Sequence, residues 1–135
     1  MLIYIITSDR KSIKIGKTND IDLTNRLRTI QTSLPSNIEV VEALMITGNN
    51  QDLNKIERQL HSDCKNWNIN REWFECTNEC INTLENSIDA LIKSNMLFKV
   101  GGVIDDSTGK TKFYNPIGLK SLKWRDRAVG SSLAP

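Results

Sequence analysis

A phenol, an amine, a guanidinium and a carboxylate stand far apart in this chain, as Tyr4, Lys14, Arg26 and Glu57, with His61 one helical turn past the carboxylate. Ile3, Ile5, Ile13 and Ile15 recur at period two, a strand signature. A loop centred on Asp9 then pairs Ile5 with Ile13 and Ile3 with Ile15, and brings Tyr4 opposite Lys14, with Cβ atoms about 5 Å apart. An ammonium beside a phenol stabilises the phenolate and lowers its pKa below about 10, which makes a general base. Gly16 on the same face lets a substrate backbone come close. The plainer alternative is a tyrosine on a half-exposed sheet with a lysine beside it. Arg26 is always charged and suits bidentate phosphate binding, or else covers a helix edge. Glu57 suits a hard divalent cation, or else pairs with a lysine or arginine. His61 can orient a water or donate to a phosphate oxygen, or else packs as a satisfied histidine.

The elements that must position these groups are legible from periodicity. Two strands, around Ile3–Ile6 and Ser12–Gly16, form a hairpin with all four isoleucines on one buried face. The polar run from Lys17 to Asp22 carries helix-start residues. Leu23, Leu27, Ile30 and Leu34 follow as one helical stripe, and Pro35 ends it. Arg26 falls about 70° from that stripe and Arg28 about 130°, which solvates Arg28. Ile38 to Ile46 reads as a third strand. Asn49 to Asp52 offer caps for a second helix with Leu53, Ile56, Leu60 and Cys64 inward. Glu57 flanks this stripe, and His61 follows on the same ridge. Residues 65–71 read as a polar loop around Trp67, and Glu72 to Cys76 as a short extended piece. Thr77 or Asn78 caps a third helix with Ile81, Leu84, Ile88, Leu91 and Ile92 inward.

The composition bounds what such a chain can be. It has 135 residues, 39% apolar and 25% charged, enough for one domain with a modest core. A net charge of +2 does not by itself mark a polyanion binder. The charge is nonetheless uneven: +3 over residues 1–28, −4 over 29–100 and +3 over 101–135. Two basic ends bracketing an acidic middle hint at an anionic partner, or are ordinary solvated surface. No apolar run approaches the roughly 20 residues of a membrane span. Met1 to Ile6 reads as a strand and not a signal peptide. Three cysteines, an odd number, argue against a disulfide framework and for a reducing, cytoplasmic setting.

Other chemistry is weaker. His61 and Cys64 with Cys76 and Cys80 could supply a Cys₃His zinc site, but Cys64 and Cys80 complete apolar stripes and suit small core residues better. Two Gly-Lys-Thr triplets, at Gly16 and Gly109, lack the upstream glycine of a phosphate loop, since Lys11 and Ile104 stand there. Gly101-Gly102 marks a boundary, placing one domain at 1–98 and a basic extension at 99–135. A small hairpin around Asp106-Ser107-Thr108-Gly109 and then a flexible arm are expected there. The arm's Lys120, Lys123 and Arg125, with Tyr114 and Trp124 interleaved, suit a nucleic-acid strand, a docked protein partner, or a solubilising tail.

Taken in order, Leu2-Ile3-Tyr4, Lys14-Ile15-Gly16-Lys17-Thr18, Arg26, Glu57-Arg58-Gln59-Leu60-His61 and Glu72-Trp73-Phe74 resemble the GIY-YIG nuclease superfamily, in particular its phage- and virus-associated branch. The likeness runs from residue 1 to about 95. It implies an α+β fold with a small three-stranded antiparallel sheet and flanking helices, a phage or mobile-element origin, and hydrolysis of DNA phosphodiesters with one Mg²⁺ or Mn²⁺. By that likeness Tyr4 is the base, Arg26 stabilises the phosphorus centre and Glu57 is the metal ligand. Lys14 and His61 complete the catalytic set, and Lys17, Arg28 and Arg58 join the arm in touching DNA. The chain departs from the pattern at Leu2 for the first glycine, Lys14 for the second tyrosine and Ile30 for a histidine, and no late asparagine matches. Those departures keep two alternatives in view: a DNA-binding module of the same fold that does not cut, and a phage factor that blocks a protein partner.

Overall fold

The computed structural model describes residues 1–20, 23–105 and 111–123. Ile21 and Asp22, the turn at 106–109, Lys110, Trp124, Arg125 and Arg127 lie outside them. Strands β1 (Leu2–Thr7) and β2 (Ser12–Thr18) form the hairpin, followed by α1 (Thr24–Gln31), β3 (Glu39–Ile46) and α2 (Asn50–Asp63). A 3-10 turn, Lys65–Trp67, leads to short strands β4 (Asn68–Asn70) and β5 (Trp73–Glu75), then to α3 (Asn78–Lys93) and β6 (Leu97–Lys99). Strands β7 (Gly102–Asp105) and β8 (Thr111–Tyr114) pair separately, where the small hairpin was expected.

The class is α+β, and the sheet is larger than three strands. Six strands run in the order β4-β5-β2-β1-β3-β6, with neighbours antiparallel. The three expected strands form its centre. The additional ones are three-residue pieces, too short to show alternation in sequence.

Central β1 is buried along its whole length, and its two faces feed two cores. Ile3, Ile5, Ile13 and Ile15 join Leu53, Ile56 and Leu60 of α2 and Ile81, Leu84 and Ile88 of α3. On the opposite face Leu2, Tyr4 and Ile6 meet Leu23, Val40 and Ala43, with Leu27 and Ile30 of α1 packed against them. Full burial of each such aliphatic side chain contributes about 1.5–3 kcal/mol.

The hairpin register differs from the expected one by two residues. Ile5 faces Ile15, Tyr4 faces Gly16, and Lys14 faces Ile6. The turn pivots on Arg10, which adopts a left-handed backbone with φ of 60°. Asp9 acts as a turn cap instead, accepting from the backbone N–H of Lys11 at 2.8 Å and of Ser12 at 3.0 Å. A bidentate pair to Glu39, at 2.8 and 2.7 Å, holds Arg10 in place. A slip of two preserves the faces, so the isoleucines stay together while the opposite face is re-paired.

Helix α1 ends earlier than Pro35 because the Gln31 side chain closes the exit, donating to Ser36 O and accepting from the Ile38 N–H, both at 2.8 Å. Helix α2 begins with a capping box between Asn49 and Asp52, and the Thr77 hydroxyl caps α3. Residues 115–123, expected within a flexible arm, are part of the fold. Ile117 and Gly118 donate backbone N–H groups to Val40 O and Val41 O at 2.9 Å, extending the β3 edge. Leu119 and Leu122 enter the larger core, the buried carboxylate of Glu42 accepts the Leu119 N–H at 3.2 Å, and Lys123 pairs with Glu85 at 2.7 Å. Truncation at Leu122, which is fully buried, tests this docking. Leu122→Ala is expected to cost about 2–5 kcal/mol in urea unfolding, whereas an independent arm predicts no change.

Candidate active site

Strand β5 covers the edge of β2 only as far as Lys14, which faces Trp73, and the Ile15 N–H reaches Glu72 O at 3.0 Å. Past that point β2 continues through Gly16, Lys17 and Thr18 without β5 beside it. The candidate site lies along this stretch.

Helix α2 brings two groups to it. Its apolar stripe faces the sheet, which carries Glu57 and His61, four residues apart, to the flank that meets β2. Glu57 is 8% exposed. One carboxylate oxygen sits 3.4 Å from Lys17 Nζ, and the other, Oε2, is buried with no hydrogen-bond partner. Lys17 also donates to Asn54 at 2.6 Å. His61 Nε2 lies 2.8 Å from Ile15 O. A carbonyl only accepts, so Nε2 carries a proton, and Nδ1 is the nitrogen that can present a lone pair. The ring stands edge-on to Phe74 at 5.2 Å. Glu72 completes the group: one donor atom each from Glu57, His61 and Glu72 lies within 4.8 Å of the other two. Burial pushes the Glu57 carboxyl up, Lys17 and His61 pull it down, and the neighbouring Glu72 adds to the rise.

Tyr4 approaches from the other core. Its ring is buried against aliphatic side chains, and its hydroxyl end lies over Gly16, where a Cβ would overlap the ring and the oxygen. Desolvation pushes this phenol up to about 12; Arg26 opposes the rise, and Glu72 and Glu57 add to it. The expectation of a lowered phenol pKa is therefore reversed. Lys14 does not face Tyr4: the register sets it opposite Ile6, and its ammonium lies 3.2 Å from the Glu72 carboxylate and 5.9 Å from the Trp73 ring centre.

Arg26, Glu57 and Glu72 thus act electrostatically on the Tyr4 hydroxyl, and His61 sits with the two carboxylates. Arg26 is exposed on α1, as are Arg28 on the same helix and Arg58 on α2. Lys17 belongs to the site as the partner of Glu57. Of the residues expected to touch DNA from the arm, Lys120 is exposed, Lys123 is committed to Glu85, and Arg125 lies outside the described residues. In the sequence Glu72 stands out only as part of the Glu72-Trp73-Phe74 motif, and its place depends on β5 pairing with β2. The three cysteines form no disulfide and are buried in the core, and among the described residues the group that gathers around His61 contains none of them.

A six-stranded antiparallel sheet with helices on both faces and an acid–histidine group at the end of its hairpin defines a small α+β domain with a polar site on one sheet edge. Residues 1–94 match the T5orf172 domain, and the chain belongs to that family, which is associated with phage nuclease-related proteins. No curated protein and no solved structure matches the chain. Among the described residues no helix is long and apolar enough to cross a membrane.

Two measurements check the Tyr4–Gly16 contact. Tyr4 is expected to stay protonated in an ultraviolet titration until about pH 12, after the ordinary range near 10.0. The folded pKa is raised, so the associated stability is complete below pH 10 and is lost as pH climbs through 12, a loss of roughly 3 kcal/mol. Gly16→Ala is expected to lower the Tm, at a cost of about 1–3 kcal/mol, by displacing the phenol; an unchanged Tm would mean that the ring does not rest there.

Proposed function

We propose that this chain is a divalent-metal-dependent DNA endonuclease of the GIY-YIG type, hydrolysing phosphodiester bonds with one Mg²⁺ or Mn²⁺. The observation that carries the reading is the buried carboxylate of Glu57, with one oxygen lacking any partner, beside a hydroxyl that also feels Arg26. A buried, unpaired carboxylate oxygen costs free energy unless a cation or donor meets it. The donor set fits such an ion: hard carboxylate oxygens with a ring nitrogen beside them.

A bound divalent ion supplies Lewis acidity toward a phosphoryl oxygen. The protein's own groups do the rest. Glu57 holds the ion's position at the end of β2. Arg26 places fixed positive charge where negative charge grows on the phosphorus centre. Tyr4, neutral at physiological pH, orients the attacking water through its hydroxyl and is not a ready phenolate. The space over Gly16, expected to admit a substrate backbone, is taken by the Tyr4 phenol, so Gly16 serves to bring that hydroxyl to the end of β2. Exposed Arg28 and Arg58 add non-specific attraction to phosphates.

One observation favours a second reading, a DNA-binding module that does not cut. Tyr4 sits at about 12, so it is not a base poised near neutrality, and the Lys14 ammonium lies against Glu72. The two readings separate in one experiment. Supercoiled plasmid incubated with the protein and Mg²⁺ or Mn²⁺ is expected to be nicked, and Glu57→Gln or Arg26→Ala to slow nicking by about 10²–10³. A gel shift that weakens steeply with salt, without nicking under either metal, would assign the second reading.

A further inference from the structure

We propose that Glu57, His61 and Glu72 form a three-donor site for a first-row transition-metal ion, with two carboxylates and the Nδ1 nitrogen of His61 as ligands. The inference rests on the reading of Glu57 as a metal-facing carboxylate and adds two ligands to it. A lone carboxylate binds divalent ions weakly and does not distinguish Mg²⁺ from Mn²⁺ by donor type. An imidazole nitrogen in the set changes that preference, because Mg²⁺ favours oxygen ligands and keeps its waters, whereas imidazole suits the later first-row ions.

Three independent features point to this set. One donor atom from each residue, for His61 one of its two ring nitrogens, converges within 4.8 Å, although they come from α2 and from the residue before β5. Glu57 is 8% exposed and its Oε2 has no partner, so a buried ligand atom is unclaimed. His61 is already arranged as metal-binding histidines are. Its Nε2–H is held by the Ile15 carbonyl at 2.8 Å and its ring by Phe74, which fixes the tautomer and leaves Nδ1 as the donor.

The lysines nearby do not close the site. Lys14–Glu72 and Lys17–Glu57 span 3.2 and 3.4 Å, longer than the 2.7 Å of Arg10–Glu39 and Lys123–Glu85 in the same molecule. They neutralise the two carboxylates but leave Oε2 of Glu57 unmet.

His61 is the chain's single histidine, which gives the test an unambiguous probe. In the untagged full-length protein, long-range ¹H–¹⁵N spectra follow both ring nitrogens as Zn²⁺, a diamagnetic ion, is added. The Nδ1 resonance is expected to leave the position of an unprotonated, unligated imine nitrogen, while Nε2 keeps its proton. Mn²⁺ affinity, read from the spin-resonance signal of free Mn²⁺, is expected to fall by roughly 10–100-fold in Glu72→Gln and in His61→Ala. Mg²⁺ affinity is expected to be lower than that of Mn²⁺ and little changed by His61→Ala. Glu72 is partly exposed, so Glu72→Gln and the wild-type spectra keep the test valid if His61→Ala misfolds. An unmoved Nδ1 resonance overturns the site, as does Mn²⁺ affinity that responds to Glu57→Gln alone. Nicking is scored separately. Tight Mn²⁺ binding without nicking would remove the endonuclease reading and keep the site. Nicking with Mn²⁺ affinity indifferent to Glu72 and His61 would do the reverse.

Discussion

Gly16 has no side chain, and the phenol of Tyr4 occupies the space one would need. That single close approach determines where the polar end of a core tyrosine emerges. The ring belongs to the core beneath α1, while Glu57 and His61 belong to the helix on the opposite face of the sheet. A sheet normally keeps its faces apart. Here β2 runs on past the end of β5, and at a glycine on that open stretch groups from the two faces come within electrostatic reach of one another. The site is therefore a property of the sheet edge more than of either helix.

Charge in the site is balanced but poorly satisfied. Two carboxylates stand close together, each with one lysine at more than 3 Å, and one carboxylate oxygen has no partner. Arg10–Glu39 and Lys123–Glu85 are closer, both at 2.7 Å, and Lys99–Glu42 is looser at 3.7 Å. Crowded carboxylates disfavour their own ionisation, which raises the Glu57 carboxyl along with its burial. Such an arrangement costs stability in the isolated protein and is relieved by added positive charge. The surrounding framework is ordinary and well capped, and can carry the cost.

What could be read from the residues depended on the range of the interaction that decided each feature. The two faces of the hairpin were legible because period-two alternation survives a slip of two residues. Its register was not, because the pivot at Arg10 is held by Glu39 across 29 residues of sequence. Helix α2 was legible from Asn49, Asp52 and the stripe behind them, and the flank position of Glu57 followed from angle alone. The Tyr4 environment is not legible in the sequence for a definite reason. Lys14 was visible as a neighbour in sequence pattern, but Leu23, Val40 and Ala43, which desolvate the ring, arrive from other elements. Glu72 entered the site only through the pairing of a three-residue strand.

Residues 115–123 show the same limit at the other end of the chain. Ile117, Leu119 and Leu122 have no period that announces a helix or strand, and their basic neighbours read as a solvated arm. Their order comes from outside the segment: free carbonyls of Val40 and Val41, and the buried carboxylate of Glu42. A buried glutamate on β3 would be costly if left alone. The Leu119 N–H meets it, and Lys99 adds charge at 3.7 Å. The segment thus satisfies the strand that pairs with β1, and β1 carries Tyr4. Support for the site extends past the matched residues 1–94, and the fold's boundary is set by where its buried polar groups find partners.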